Sequence, residues 1–129
     1  MIVLDASVVI ELLLNLPAAG RVASRLQTQT ALHAPHLIDA EIGQALRRFA
    51  SAGKISSGRG REAVDHLAGL PLRRHAHGVL MERVWSLRTS LTAYDALYVA
   101  LAEALKAPLL TRDRRIAAAH GHFARVELV

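Results

Sequence analysis

Residues 1–129 predict a single three-layer α/β domain, with a mostly parallel central sheet flanked by helices. Three observations support this. "MIVL" and "PLLT" are short continuous apolar runs, the signature of strands buried on both faces. The longer segments between them carry apolar residues at helical period. Strands and helices alternate along the chain, with no linker, internal repeat or low-complexity tract.

The first strand, "MIVL", stops at Asp5, and Val8–Leu14 continues as a helix until Pro17 breaks it. Ala18–Gln27 reads as a second helix, and "ALHAP" as a short strand ended by Pro35. From Leu37 to Ala52 the residues Ile38, Ile42, Ala45, Leu46 and Phe49 recur at helical spacing, and Gly53 follows as a stop. Ser56–Leu67 is a polar helix. "LPLRRHA" is a strand whose proline cannot donate to a ladder, which assigns it to the sheet edge. Helices follow over Val79–Leu87 and Thr92–Leu105. The chain then runs through the strand "PLLT", a short helix Arg114–Ala119 and a last strand "RVELV".

Composition narrows the function. At 52% hydrophobic residues the chain supports a packed core and excludes disorder. It has no cysteine, which removes disulfide frameworks and thiolate metal sites and fits a reducing, cytoplasmic setting. The run "VVIELLLNL" is interrupted by Glu11 and Asn15 and follows no basic segment, so neither a signal peptide nor a membrane span is expected. Lys plus Arg number 16 against 11 Asp plus Glu, a net charge of +5. Only Lys54 and Lys106 are lysines. Arginine forks phosphate oxygens bidentately, so nucleic acid is the favoured partner class.

Four acids stand out. In parallel sheets functional groups gather beyond the carboxyl ends of strands, where Asp5 and Asp113 both fall. Each also suits a helix N-cap, and Thr92 with Asp95 matches the S/T-x-x-D opening of a helix. Glu41 has no capping role. It lies on the flank of an apolar stripe, where a carboxylate needs a cation or a salt bridge, with Arg47, Arg48 or another basic neighbour. Four converging acids would repel one another unless some are protonated or a divalent cation lies among them. Oxygen-only ligands select Mg²⁺ or Mn²⁺. In a basic protein, that points to phosphodiester chemistry.

"IVLDAS", "DAEIGQALRR" and "LTAYDALYVALAEALKAPLLTRD" together resemble the successive motifs of PIN-domain ribonucleases, in particular the VapC toxins of type II toxin–antitoxin systems. The resemblance runs from Ile2 to the last strand, and its final block is the most specific. It implies metal-binding, catalytic acids at Asp5, Glu41, Asp95 and Asp113. It implies that Ser7 and Thr111 orient carboxylates or water, and that Thr92 positions Asp95. Gln44 departs from the asparagine that many relatives carry there. The resemblance further implies an Mg²⁺- or Mn²⁺-dependent endoribonuclease, an RNA substrate, a cognate VapB-type antitoxin and a homodimer.

Arg112, Arg114 and Arg115 surround Asp113 and are candidate phosphate contacts; a solvated helix face explains them equally well. The pairs His75/His77 and His120/His122 have the spacing of a transition-metal site but fall away from the acids. Phe49, Trp85, Tyr94, Tyr98 and Phe123 are scattered, reading as core or interface residues rather than a base-stacking platform. Val8–Leu14 offers either ordinary core or a docking face for a partner helix.

Overall fold

A computed structural model describes all 129 residues. The chain runs β1 (Ile2–Leu4), α1 (Ala6–Leu14), α2 (Ala19–Leu26), β2 (Leu32–Pro35), α3 (Leu37–Ser51), α4 (Ser57–Gly69) and β3 (Leu72–His75). A single 3-10 turn (Gly78–Leu80) leads into α5 (Met81–Ser86), then α6 (Ala93–Leu105), β4 (Leu109–Thr111), α7 (Arg114–Ala118) and β5 (Val126–Leu128). The five strands lie in the order β3-β2-β1-β4-β5, and every pairing is parallel.

The expected α/β class is therefore observed, with the sheet wholly rather than mostly parallel. β3, the strand expected at an edge, is at one. α1 packs on α2, α3 and α4, whereas α6 packs on α5 and lies across β1, β2 and β4. Right-handed crossovers produce this split: connections running outward from β1 and those returning past it cover opposite faces. The core joins Ile2, Val3 and Leu4 to Val8, Val9, Ile38, Ile42, Val99, Leu109 and Leu110, all essentially without solvent contact.

Local chemistry sets the element ends. α1 starts at Ala6, earlier than expected, and stops at Asn15 in the left-handed region (φ 50°), before Pro17 is reached. α3 runs to Ser51, and Gly53 follows at φ 69°, a conformation that glycine adopts without a Cβ penalty. The helix expected over Val79–Leu87 is split, its first turn being 3-10 and the α-helical part beginning at Met81. The docking-face alternative for Val8–Leu14 fails. Val8, Val9, Ile10, Leu13 and Leu14 are all buried between α1 and its neighbours, leaving only Leu12 partly exposed.

The topology defines one crevice. From β1 the chain first builds outward through β2 and β3, then returns to place β4 on the other side of β1. The carboxyl ends of β1 and β4 are thus the switch point where parallel sheets bind ligands. Asp5 follows β1 there, and Thr111–Asp113 closes β4.

Candidate active site

Asp5 occupies the N-cap position of α1, yet its side chain makes no capping bond. It is 7% exposed and turned into the crevice. Its Oδ2 accepts the hydroxyls of Ser7 (2.6 Å) and Thr111 (2.7 Å), while its Oδ1 accepts none. The same two hydroxyl oxygens accept backbone amides in turn, Ser7 Oγ from Arg112 (3.1 Å) and Thr111 Oγ1 from Asp113 (3.0 Å). Ser7 and Thr111 therefore tie the loop after β4 to the acid after β1.

Glu41 is half-buried on α3 and makes no ion pair, so the salt-bridge alternative with Arg47, Arg48 or another basic neighbour is not what holds it. Its partner is Tyr98 of α6, whose buried hydroxyl donates to Oε1 at 2.6 Å. Burial raises the Glu41 carboxyl above its ordinary value against the opposing Tyr98 bond, and the charges of Asp5 and Asp95 push it further up. Asp95 is raised in the same way, by burial first and then by Asp5 and Asp113, with the Thr92 hydroxyl opposing. Tyr98 itself is driven well above the ordinary phenol range by burial and by Glu41. Thr92 does cap α6, its Oγ1 accepting the Asp95 amide at 3.2 Å.

Asp113 combines two roles. It caps α7 by accepting the Arg115 amide at 2.9 Å, and the Arg115 guanidinium lies on its carboxylate at 2.6 Å. That guanidinium holds Asp113 below the usual carboxylate range. Arg112 is ion-paired with buried Glu11 of α1, whereas the exposed Arg114 makes no side-chain bond. Of the three candidate phosphate contacts, Arg114 alone is free.

Asp5 and Asp95 thus act on Glu41, and Asp5 and Asp113 on Asp95, so the four acids, from the ends of β1 and β4 and from α3 and α6, lie within reach of one another's charge. The donors are oxygens alone and Asp5 Oδ1 is open, which suits a hard divalent cation in type and charge. They do not form a closed cage: no three acidic or histidine side chains approach closely enough to share an ion.

A groove of about 440 Å³ opens beside Glu41, between α1, α3 and the start of α6. Gln44, Arg48 and Tyr94 line it, and Tyr94 is 61% exposed. Tyr98, Glu11 and Arg48 carry site contacts or line this groove, roles that the sequence did not assign to them. Tyr98 had a signal, standing three residues after Asp95 on one helix. So did Glu11, a carboxylate inside an apolar helical run.

The histidines serve elsewhere. His75 Nε2 and His33 Nδ1 are hydrogen-bonded at 2.8 Å, and His77 Nε2 accepts the Leu37 amide at 2.9 Å. His122 bonds the Ile116 carbonyl at 3.1 Å, and His120 is exposed.

Comparison with known proteins gives the family and the fold. The PIN domain profile matches residues 2–121. Ribonuclease VapC1 of Mycobacterium tuberculosis is 45% identical over 128 residues, covering 98% of this chain and 96% of the relative. Ribonuclease VapC12 of the same organism is 44% identical over 129 residues, covering 100% and 99%. Among solved structures, VapBC2 from Rickettsia felis, bound to a promoter DNA fragment, superposes with a TM-score of 0.72 at 15% identity, covering 99% of this chain and 98% of that one. M. tuberculosis VapC20, a toxin that cleaves the sarcin–ricin loop, superposes at 0.72 with 16% identity, covering 95% and 97%. The crevice acids, the parallel sheet and the full-length likeness lead to one assignment: the chain belongs to the PIN-domain family and, within it, to the VapC proteins.

Proposed function

We propose that the protein is a metal-dependent endoribonuclease, the toxin of a type II toxin–antitoxin pair, with Asp5, Glu41, Asp95 and Asp113 as its metal-binding and catalytic acids. The observation that carries this reading is the gathering of carboxylates at the switch-point crevice, where Glu41 and Asp95 are raised by burial first and then by neighbouring acids, Asp5 and Asp95 acting on Glu41 and Asp5 and Asp113 on Asp95. Such an arrangement is relieved by a cation. Mg²⁺ or Mn²⁺ bound there would polarise the phosphodiester and lower the pKa of an attacking water.

The chain's own residues supply the rest. Ser7 and Thr111 hold Asp5 Oδ2 and leave Oδ1 without a hydrogen bond. Tyr98 fixes Glu41, and Thr92 anchors the helix turn that carries Asp95. Arg114 is free to meet backbone phosphate, and Arg115, 83% exposed at its side chain, lies at the same rim. The groove with Arg48 and Tyr94 provides a path for the strand beside Glu41. The relatives named as ribonucleases support RNA as substrate, and the VapBC neighbour supports a VapB-type antitoxin that blocks the crevice. A cytoplasmic homodimer completes the reading. No single helix is long and apolar enough to cross a membrane.

The test is incubation of purified protein with total cellular RNA, with Mg²⁺ or with EDTA, followed by mapping of the cut ends. Discrete metal-dependent cuts that vanish in Asp5→Asn and Asp95→Asn are expected. Cleavage surviving in both variants would remove the metal-site assignment. Metal-independent binding without cutting would make the protein an RNA-binding module instead.

A further inference from the structure

Glu11 is the one fully buried carboxylate outside the four acids, 3% exposed in the middle of apolar α1. A charge in such a place is costly unless it is paired and hydrogen-bonded. Both conditions are met. Its Oε2 accepts the Ala18 amide at 2.8 Å and so caps the start of α2, where the N-cap residue Ala18 has no capping side chain of its own. Its Oε1 receives the Arg112 guanidinium.

Arg112 lies between Thr111, which bonds Asp5, and Asp113. Its amide donates to Ser7 Oγ at 3.1 Å, so this one residue is fastened to α1 twice, by backbone and by side chain. Apart from the Thr111 hydroxyl on Asp5 at the N-cap of α1, the Arg112 side chain is the only one of this loop that bonds α1. Resting on the nuclease reading above, we propose that the Glu11–Arg112 pair is a positioning device. It sets the Thr111–Asp113 loop against Asp5, so that Asp113 and Asp5 face one metal. Arg112 then acts through Asp113 and does not contact RNA phosphate.

The two roles of Arg112 make opposite predictions. Glu11→Gln keeps an oxygen for the Ala18 amide but turns a donor toward Arg112, so it releases the arginine while preserving the α2 cap. Arg112→Met removes the cation, and Arg112→Lys restores one. Partners that orient metal ligands typically contribute about 10- to 100-fold in metal affinity or activity. A loss of that size in Mn²⁺ affinity and in kcat is expected in both Glu11→Gln and Arg112→Met, with KM for an oligoribonucleotide unchanged. The double variant should be no worse than either single one, because the two residues act as a unit. Arg112→Lys should recover much of the loss.

A phosphate contact would instead raise KM in Arg112→Met alone, leave Mn²⁺ affinity intact, and leave kcat of Glu11→Gln unchanged. That pattern overturns the proposal. Amide hydrogen exchange at Arg112 and Asp113, measured without metal, separates this from failure of the nuclease reading. Faster exchange in Glu11→Gln supports the device even if the native protein cuts no RNA, and unchanged exchange overturns it in either case. Glu11→Gln buries no new charge, so it keeps the test readable should Arg112→Met fail to fold.

Discussion

The Tyr98 hydroxyl donates to Glu41 Oε1 across 2.6 Å, joining α6 to α3 over the ends of the strands. It is the only hydrogen bond that the Glu41 side chain makes, and the two helices belong to opposite layers of the sheet. Tyr98→Phe therefore removes a tie between layers as well as the orientation of a proposed metal ligand. A loss of about 1.5–3 kcal/mol in denaturant unfolding is expected, the range for a hydrogen bond to a charged group. RNA cleavage should fall with it. Full activity in Tyr98→Phe would mean that Glu41 needs no orientation.

Divalent cations should stabilise the protein in a pH-dependent way. Glu41 and Asp95 are both raised, so the folded state binds their protons more readily than the unfolded chain. Their contribution is greatest below the ordinary values of 4.5 and 3.8 and is lost as pH rises through the raised folded values. Bound cation offsets that loss where the acids are charged. Mn²⁺ at a hundredfold excess over its Kd should add about 2.7 kcal/mol at neutral pH, read as a higher Tm. The shift should shrink towards acid pH and disappear in Asp5→Asn. An equal shift in Asp5→Asn would place the cation elsewhere.

The groove beside Glu41 should contribute to substrate affinity. Arg48 makes no side-chain bond, and Tyr94 exposes most of its ring there. Arg48→Ala and Tyr94→Ala are expected to raise KM for RNA several-fold. Arg48→Ala should also flatten the salt dependence of binding by about one counterion. Unchanged KM in both variants would route the strand over Arg114 instead.

Away from the site, Arg83 of α5 grips Glu103 of α6 at 2.7 Å and also donates to the Gly121 carbonyl. The arginine lowers the Glu103 carboxyl below its ordinary 4.5. The stability this provides is present above 4.5 and is lost as pH falls through the lowered folded value. Arg83→Ala should cost about 1 kcal/mol at pH 7, discounted for partial exposure, and much less near pH 3. Matched denaturation curves at the two pH values decide it. An equal loss at both would assign the effect to packing against Phe123.

How much of this was legible can be argued from particular residues. The strands around "MIVL" and "PLLT" were readable because double-sided burial leaves an unbroken apolar run. The split of Val79–Leu87 was not, since apolar period alone does not distinguish a 3-10 turn from an α-helical one. Asp5 and Asp113 share the same local signature, a carboxylate ahead of a helix. The structure shows Asp113 capping and Asp5 not capping, because Ser7 and Thr111 draw the Asp5 carboxylate into the crevice.

By itself the sequence determined the α/β class and the order of elements, and it singled out four acids, to which the family resemblance added two hydroxyl companions. Periodicity, punctuation and motif spacing are local properties that a linear chain displays. Only the tertiary structure decided that Glu41 is held by Tyr98 rather than by an arginine, and that Arg112 belongs to Glu11 while Arg114 stays free. Those pairings join residues 57 and 101 positions apart, and no local pattern encodes them. They follow from the crossover that brings β4 beside β1 and closes α3 and α6 over the strand ends.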